Sequence, residues 1–462
     1  MHPELDSSPH TRPESYLTAA IPGTGGAIKQ RPEDFIVEEI PAYDPSGEGE
    51  HIYLFVQKVG LSTSQLVSIL ARHFGVREYA VGYAGLKDRH AITRQVVSIH
   101  TPGKTPEDFP MLRDGRIQVL WSDLHGNKLR RGHLRANRFS IKVRNVPLRS
   151  VFDARRTLDA LATVGVPNRA GEQRFGILAN NHLVGRAILL GDDQLALDIL
   201  LGPLPEGVPP LSHDNQRSRR LYAEKKYTDA AVTAGKGAIT ERRALAMLAK
   251  GATPRQAIDA LNGLARSFFL TSFQSAVFNR VLDDRLRAGA FDRLLPGDVA
   301  FKHANGALFP VTEEELAKPD TAARLAAIEI SPSGPLWGPD MFHASGATAE
   351  AERDALASFG VTPEHLAAAA PRFGQEHQGH RRPLRVPLSY PSVHAGGDEH
   401  GHYIQCDFEL PPGAFATVVM DEVMKTAPVT PLPGGEGPGV GLTTAAAPSA
   451  AEASSDFDDE DG

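Results

Sequence analysis

Apolar and polar side chains alternate over residues 35–40 and again over 52–58, where Ile52, Leu54 and Val56 point one way and Tyr53, Phe55 and Gln57 the other. A period of two marks a strand with one buried face. The turn-rich DPSGEGE between the two runs predicts a long hairpin. Ser62 or Thr63 then caps a helix in which Leu66, Ile69, Leu70 and Phe74 share a face, ended by Gly75. Further strands are predicted at 79–84, 94–99 and 117–121, and Phe139, Ile141 and Val143 alternate with Ser140, Lys142 and Arg144. From Phe152 the period lengthens. Residues 152–163, 181–190, 194–201, 241–249 and 268–286 show helical spacing, joined by connectors such as GPLPEGVPP. Alternation returns over 387–423, around Tyr403, Ile404, Cys406 and Phe408, before a short helix near 421–425. This order predicts a β-rich domain interrupted by a helical insertion, with the C-terminal strands completing the first sheet.

The chain's 462 residues leave room for two or three domains of about 150 residues each. Pro, Gly, Ala, Ser and Thr dominate 427–462, which ends in Asp456, Asp458, Asp459, Glu460 and Asp461 and reads as a disordered acidic tail. Residues 1–20 are polar and dotted with proline, without the apolar core of a signal peptide. No run approaches the 18 or so apolar residues of a membrane span. Cys406 is the lone cysteine, so neither an internal disulfide nor a Cys-x-x-Cys zinc site can form, and a cytoplasmic location is expected.

Net charge points away from nucleic acid at first, because the formal total is −7. All of that excess lies in the tail, whose removal leaves 49 acidic against 49 basic residues. Within the remainder, 124–152 holds no acid and eight bases: Lys128, Arg130, Arg131, Arg135, Arg138, Lys142, Arg144 and Arg149. An acid-free stripe of that length suits phosphate neutralisation.

Familiar cofactor signatures are missing. Gly23-Thr24-Gly25-Gly26 lacks the endings of a nucleotide-binding loop and reads as a turn. His377 and His380 lie three apart without an evident third metal ligand. One segment stands out: at the end of a predicted strand, 85–95 sets Asp88 between Lys87 and Arg89, and nearby cations favour the anionic carboxylate needed by a nucleophile or base.

Five stretches in this order resemble the tRNA pseudouridine synthase D (TruD) family. They are Ile28-Lys29-Gln30-Arg31-Pro32-Glu33-Asp34-Phe35 with Val37-Glu38-Glu39, the 85–95 segment, Asn137-Arg138-Phe139, the 165–176 run GVPNRAGEQRFG, and Ser272-Phe273-Gln274-Ser275-Ala276-Val277-Phe278-Asn279. The resemblance spans about 22–425. It implies an α+β pseudouridine synthase fold with a mixed, mainly antiparallel central sheet, discontinuous in sequence. A large, mostly helical TRUD insertion domain would form the other wall of an RNA-binding cleft. The implied limits are 21–165 and 379–426 for the catalytic domain and 166–378 for the insertion.

The resemblance further implies isomerisation of uridine to pseudouridine in transfer RNA, at uridine-13 of the D arm, by a monomer without metal or organic cofactor. Asp88 matches the catalytic Asp and Lys29 the basic residue paired with it. Phe35 and Phe139 match the aromatic lining of the uracil pocket, and Asn137 the polar partner in Asn-x-Phe. Lys128, Arg130, Arg131, Arg135 and Arg138 lead into that pocket as expected RNA contacts. Arg169-Ala170 replaces the family's aromatic pair after Asn168. Two other readings stay open: a non-catalytic RNA-binding protein or tRNA folding chaperone on the same fold, and a metal-dependent hydrolase built on the His-rich loops.

Overall fold

The computed structural model describes residues 15–89, 91–204, 211–235, 237–373 and 377–426; the expected disordered tail and residues 1–14 lie outside the described residues. The chain forms two units, one built from 18–166 and 386–426, the other chiefly from 167–385.

The first unit opens with β1 (Phe35–Pro41), β2 (His51–Val59), α1 (Thr63–Phe74), β3 (Val81–Tyr83), β4 (Ile92–His100), β5 (Ile117–His125), β6 (Leu134–Arg144) and α2 (Val151–Val164). Helix α1 starts where the sequence places it, because Ser62 and Gln65 form a reciprocal capping box, and it stops at Gly75, whose φ of 66° is left-handed. Its Leu66, Leu70 and Phe74 pack with Ile52, Leu54, Val56, Val97 and Ile99 in one core. Burying each such side chain contributes roughly 1.5–3 kcal/mol.

Strand β7 (Val166–Pro167) carries the chain into the second unit. There α3 (Asn181–Leu189), α4 (Asp193–Leu201), α5 (His213–Ala223), α6 (Tyr227–Thr233), α7 (Ile239–Ala249), α8 (Pro254–Asp259) and α9 (Gly263–Arg287) come first. Leu183, Val184, Ile188, Leu197, Leu245 and Phe269 are among the residues of their shared core. Next follow β8 (Val299–Lys302), β9 (Leu308–Pro310), α10 (Glu313–Leu316), α11 (Pro319–Ala326), β10 (Ile330–Leu336), α12 (Gly346–Ala357), α13 (Pro363–Phe373) and β11 (His380–Pro383). Strand β12 (Arg385–Val386) leads back to β13 (Ser389–Asp398), β14 (Gly401–Leu410) and α14 (Ala416–Met424).

The first unit's sheet runs β13-β14-β6-β1-β4-β2-β5, with β3 also on β4. The returning β14 pairs antiparallel with β6, so the C-terminal strands complete the sheet as the sequence pattern suggests. The expected hairpin does not form, because β4 lies between β1 and β2. Strand β1 pairs parallel with β4 and antiparallel with β6, which uses both its edges. Parallel pairing needs a long crossover, and β2, α1 and β3 together supply it. Alternation reveals a strand and is silent about its neighbour.

The second unit holds a four-stranded sheet, β11-β10-β8-β9, that periodicity did not announce. Its β10 (ISPSGPL) is buried at every position, so no polar face exists to produce alternation.

Two stretches singled out in the sequence meet in this unit. Asn279 of α9 accepts from the Ala170 amide at 2.9 Å and donates to the Ala170 carbonyl at 3.1 Å, and the Ser272 hydroxyl donates to the Arg174 carbonyl at 2.7 Å. Arg169 forms a buried ion pair with Asp283 of α9.

Candidate active site

The glycine-rich segment before β1 lies flat against β6 and α14. Thr24 N–H donates to the Val423 carbonyl at 2.9 Å, and Ala27 exchanges backbone hydrogen bonds with Arg144. Gly26 has φ 88°, and a Cβ there would sit 2.5 Å from the Arg144 carbonyl oxygen, so the close approach requires glycine. Just beyond, the Arg144 guanidinium grips both Asp34 and Asp398 and fixes the entry to β1. Hydrogen bonds from Arg144 hold the Asp398 carboxyl well below the usual carboxylate range.

Lys29 adopts φ 57°, a left-handed conformation that costs a non-glycine residue roughly 1–3 kcal/mol. Its ammonium lies 4.3 Å from the centre of the Phe35 ring and 2.9 Å from Asp88 Oδ2. Asp88 occupies the loop from β3 to β4, with its side chain 27% exposed.

Two further lysines hold that loop. The Lys58 side chain, at the end of β2, is wholly buried and donates to the Leu61 carbonyl at 2.6 Å and the Asp88 carbonyl at 3.2 Å. Burial pushes its ammonium down to about 8, while the charge of Asp88 acts the other way. Lys87 anchors its backbone N–H on the Thr63 hydroxyl and turns its side chain inward. Its ammonium is 2.6 Å from Glu39 Oε2 and 2.9 Å from Asn137 Oδ1. Glu39 is buried: desolvation raises its carboxyl, and Lys87 pulls it back.

The pleat sorts the rest. Phe35, Val37 and Glu39 of β1 lie opposite Ile141, Phe139 and Asn137 of β6, while Glu38 lies opposite Arg138. Asn137 and Phe139 thus share one face of the sheet and Arg138 projects from the other. Lys58 is on the face of Asn137, since Val37 and Lys58 both lie opposite Thr93. The Phe139 ring is buried between Phe35, centroids 6.4 Å apart and edge-on, and Phe408 at 5.6 Å. The structure therefore gathers Lys29, Asp88, Phe35, Asn137 and Phe139 in one place. The sequence sets Lys87 beside Asp88 as a cation favouring its anionic form, whereas its side chain turns to Glu39 and Asn137. Lys58 and Glu39 carry no role in the sequence reading, although Lys58 breaks the apolar series Ile52, Leu54, Val56 at the next position of the same face.

The basic run divides. Arg130, Arg131 and Arg135 are exposed, with Arg131 donating to the Tyr83 hydroxyl at 3.1 Å, and the half-buried Lys128 donates to the Tyr79 carbonyl. Arg138 instead pairs with Glu409 at 2.7 Å and Glu38 at 3.3 Å, and Lys142 with Asp398 at 3.1 Å. Among the described residues no three His, Cys, Asp or Glu side chains gather in a metal-binding group, and no helix is long and apolar enough to cross a membrane.

A carboxylate held by a lysine beside aromatic rings can act on an electrophilic carbon, or take a proton, next to a flat ring. Known proteins match the chain as a whole. The family model for tRNA pseudouridine synthase D (TruD) matches residues 13–423. The tRNA pseudouridine synthase D of Geobacter sulfurreducens is 41% identical over 419 residues, covering 89% of this chain and 96% of the relative. One from Thermus thermophilus is 36% identical over 417 residues, 90% of this chain and 93% of the relative. A crystal structure of a candidate TruD from Methanosarcina mazei superposes with TM-score 0.75 at 28% identity, covering 89% of this chain and 96% of that one. With its sequence matched almost end to end and its fold shared, the chain belongs to the tRNA pseudouridine synthase D family.

Proposed function

We propose that this protein isomerises uridine to pseudouridine in transfer RNA, at uridine-13 of the D arm, with Asp88 as the catalytic carboxylate. The observation that carries the assignment is the Asp88 carboxylate, ion-paired to Lys29 at 2.9 Å beside the Phe35 and Phe139 rings.

The target nucleotide leaves its stack to reach the site. Asp88 acts at the ribose as the N1–C1′ bond breaks, either forming an ester at C1′ that C5 later displaces or removing a ribose proton that it later returns. The freed uracil turns, C5 bonds to C1′ as the ester breaks or the proton goes back, the C5 proton leaves to solvent, and N1 takes up a proton. Phe139, buried between Phe35 and Phe408, lines the base pocket and presents a ring face to the uracil only as that packing opens on binding; such a contact is worth about 1–3 kcal/mol per base and offsets part of the extrusion cost. Lys29 orients the carboxylate. Lys128, Arg130, Arg131 and Arg135 guide the phosphate backbone, and Arg138 contributes through the sheet it ties together. The protein acts in the cytoplasm as a monomer, without metal or organic cofactor.

Tritium release from transfer RNA labelled at uridine C5 tests this directly. Wild type releases tritium, and Asp88→Asn loses at least about a thousand-fold in rate. Full activity in the variant would reassign Asp88; no release by wild type from any transfer RNA would defeat the function.

A further inference from the structure

Strand β13 pairs with β14 through a break in register. Ser389 lies opposite Glu409 and Ser392 opposite Asp407, so Tyr390 and Pro391 together face the single residue Phe408, a β-bulge of two residues against one. Tyr390 has φ 52°. In such a bulge that left-handed position is ordinarily glycine's, it strains a bulky residue, and the proline that follows biases the position further towards extended backbone. Burial of the ring could offset the strain, yet Tyr390 is 77% exposed. Among the described residues its ring meets no other ring and its hydroxyl no hydrogen-bond partner. Bulges recur beside active sites, where they re-aim a side chain, and this one ends a row that crosses the catalytic face. Val37 of β1 pairs with Phe139 of β6, Phe139 with Phe408 of β14, and Phe408 faces the bulge. The Phe408 and Phe139 rings are 5.6 Å apart. Two strand spacings, roughly 10 Å, separate the backbones of Tyr390 and Phe139.

We propose that Tyr390 is an RNA-binding residue outside the uracil pocket: its ring stacks with the base of a nucleotide adjoining the flipped uridine in the transfer RNA chain. The inference rests on the uridine reading of the site. Extrusion of one nucleotide takes a stacking partner from each of its neighbours, and an exposed ring two strands from Phe139 replaces one of them. Every base has a π-face, so this contact supplies grip and not sequence choice. The bulge holds the ring out in solvent, where a base can reach it.

Equilibrium binding of transfer RNA tests this, together with 2-aminopurine placed on the 5′ or the 3′ side of the target uridine, because that base fluoresces less when stacked. Tyr390→Ala should weaken binding about five- to a hundred-fold. Its slope of log affinity against log salt should stay that of wild type, since no phosphate contact is lost. In one of the two placements the probe should be brighter in the Tyr390→Ala complex than in the wild-type complex, and Tyr390→Trp should restore both affinity and quenching. Tyr390→Gly suits the left-handed backbone, so it should unfold at no lower denaturant concentration than wild type while binding as weakly as Tyr390→Ala. That variant separates a lost ring from a disturbed fold. Wild-type affinity in Tyr390→Ala, or a probe equally bright with both proteins in either placement, overturns the proposal while uridine turnover stands. A wild type that turns over no uridine in any transfer RNA sinks the uridine reading itself.

Discussion

Two lysine–carboxylate pairs meet at consecutive residues. Lys29–Asp88 is 2.9 Å long with side chains 25% and 27% exposed; Lys87–Glu39 is 2.6 Å long with side chains 5% and 0% exposed. The chemistry is the same and the surroundings decide the use. Water reaches both members of this half-buried pair, so Asp88 can exchange Lys29 for a reacting substrate at smaller cost. Neither member of the buried pair can be separated without leaving a charge stranded in the interior. One pair is free to react and the other serves as framework, and a single peptide bond joins them.

The largest expected effect breaks the framework. Glu39→Ala strands the Lys87 ammonium and should destabilise the protein by about 3–5 kcal/mol, read from the midpoint of chemical denaturation. Lys29→Met removes a half-buried, water-accessible partner and should cost less, about 1 kcal/mol of stability. Its turnover should nevertheless fall roughly ten- to a hundred-fold, the worth of a hydrogen bond to a charged group. Equal losses of stability in the two variants would erase the distinction between the pairs.

Lys58 sharpens the same contrast, because it is buried with two backbone carbonyls as its hydrogen-bond acceptors. Its ammonium is pushed down to about 8 from an ordinary value of 10.5. Between pH 8 and 10.5 the unfolded chain therefore binds more protons at this site than the folded one, and this group's contribution to stability rises with pH. Its burial cost is fully felt below pH 8 and is gone above 10.5. Relative to Lys58→Met, wild type should therefore gain on the order of 2 kcal/mol of stability between pH 7.5 and pH 10. A difference that stays flat across that range would mean that the buried ammonium holds its proton normally.

Legibility in the sequence followed the range of each interaction. Helix α1 was readable because Ser62, Gln65 and Gly75 act within one or two turns of it. Pairing was not: the run 44–50 reads as a hairpin turn, yet β1 joins β4 and β6. The Glu39–Lys87–Asn137 cluster depends on that same register, so its three members could be quoted in separate motifs without any sign that they touch. Lys58 did leave a trace, as a charge on the apolar face of β2, and the missing ingredient was the carbonyl of Asp88 thirty residues on. The four-stranded sheet of the second unit left none, because β10 is buried throughout.

The basic run shows the limit of reading charge in one dimension. Acid-free along the chain, it is not acid-free in space: Glu38, Glu409, Asp34 and Asp398 come from other segments to meet Arg138, Lys142 and Arg144. Arg130, Arg131 and Arg135 are exposed on the approach to β6 and in its first residues. Salt dependence separates the two groups, since each lost phosphate contact lowers the slope of log affinity against log salt by about 0.7–1. Alanine at Arg130, Arg131 or Arg135 should flatten the slope for transfer RNA by up to that amount and weaken binding a few-fold. Arg138→Ala should leave the slope within error of wild type, because its charge is already met by Glu38 and Glu409 and it projects from the face opposite Asn137 and Phe139. A slope lowered as much by Arg138→Ala as by alanine at Arg130, Arg131 or Arg135 would place RNA on both faces of the sheet and undo the division of the run.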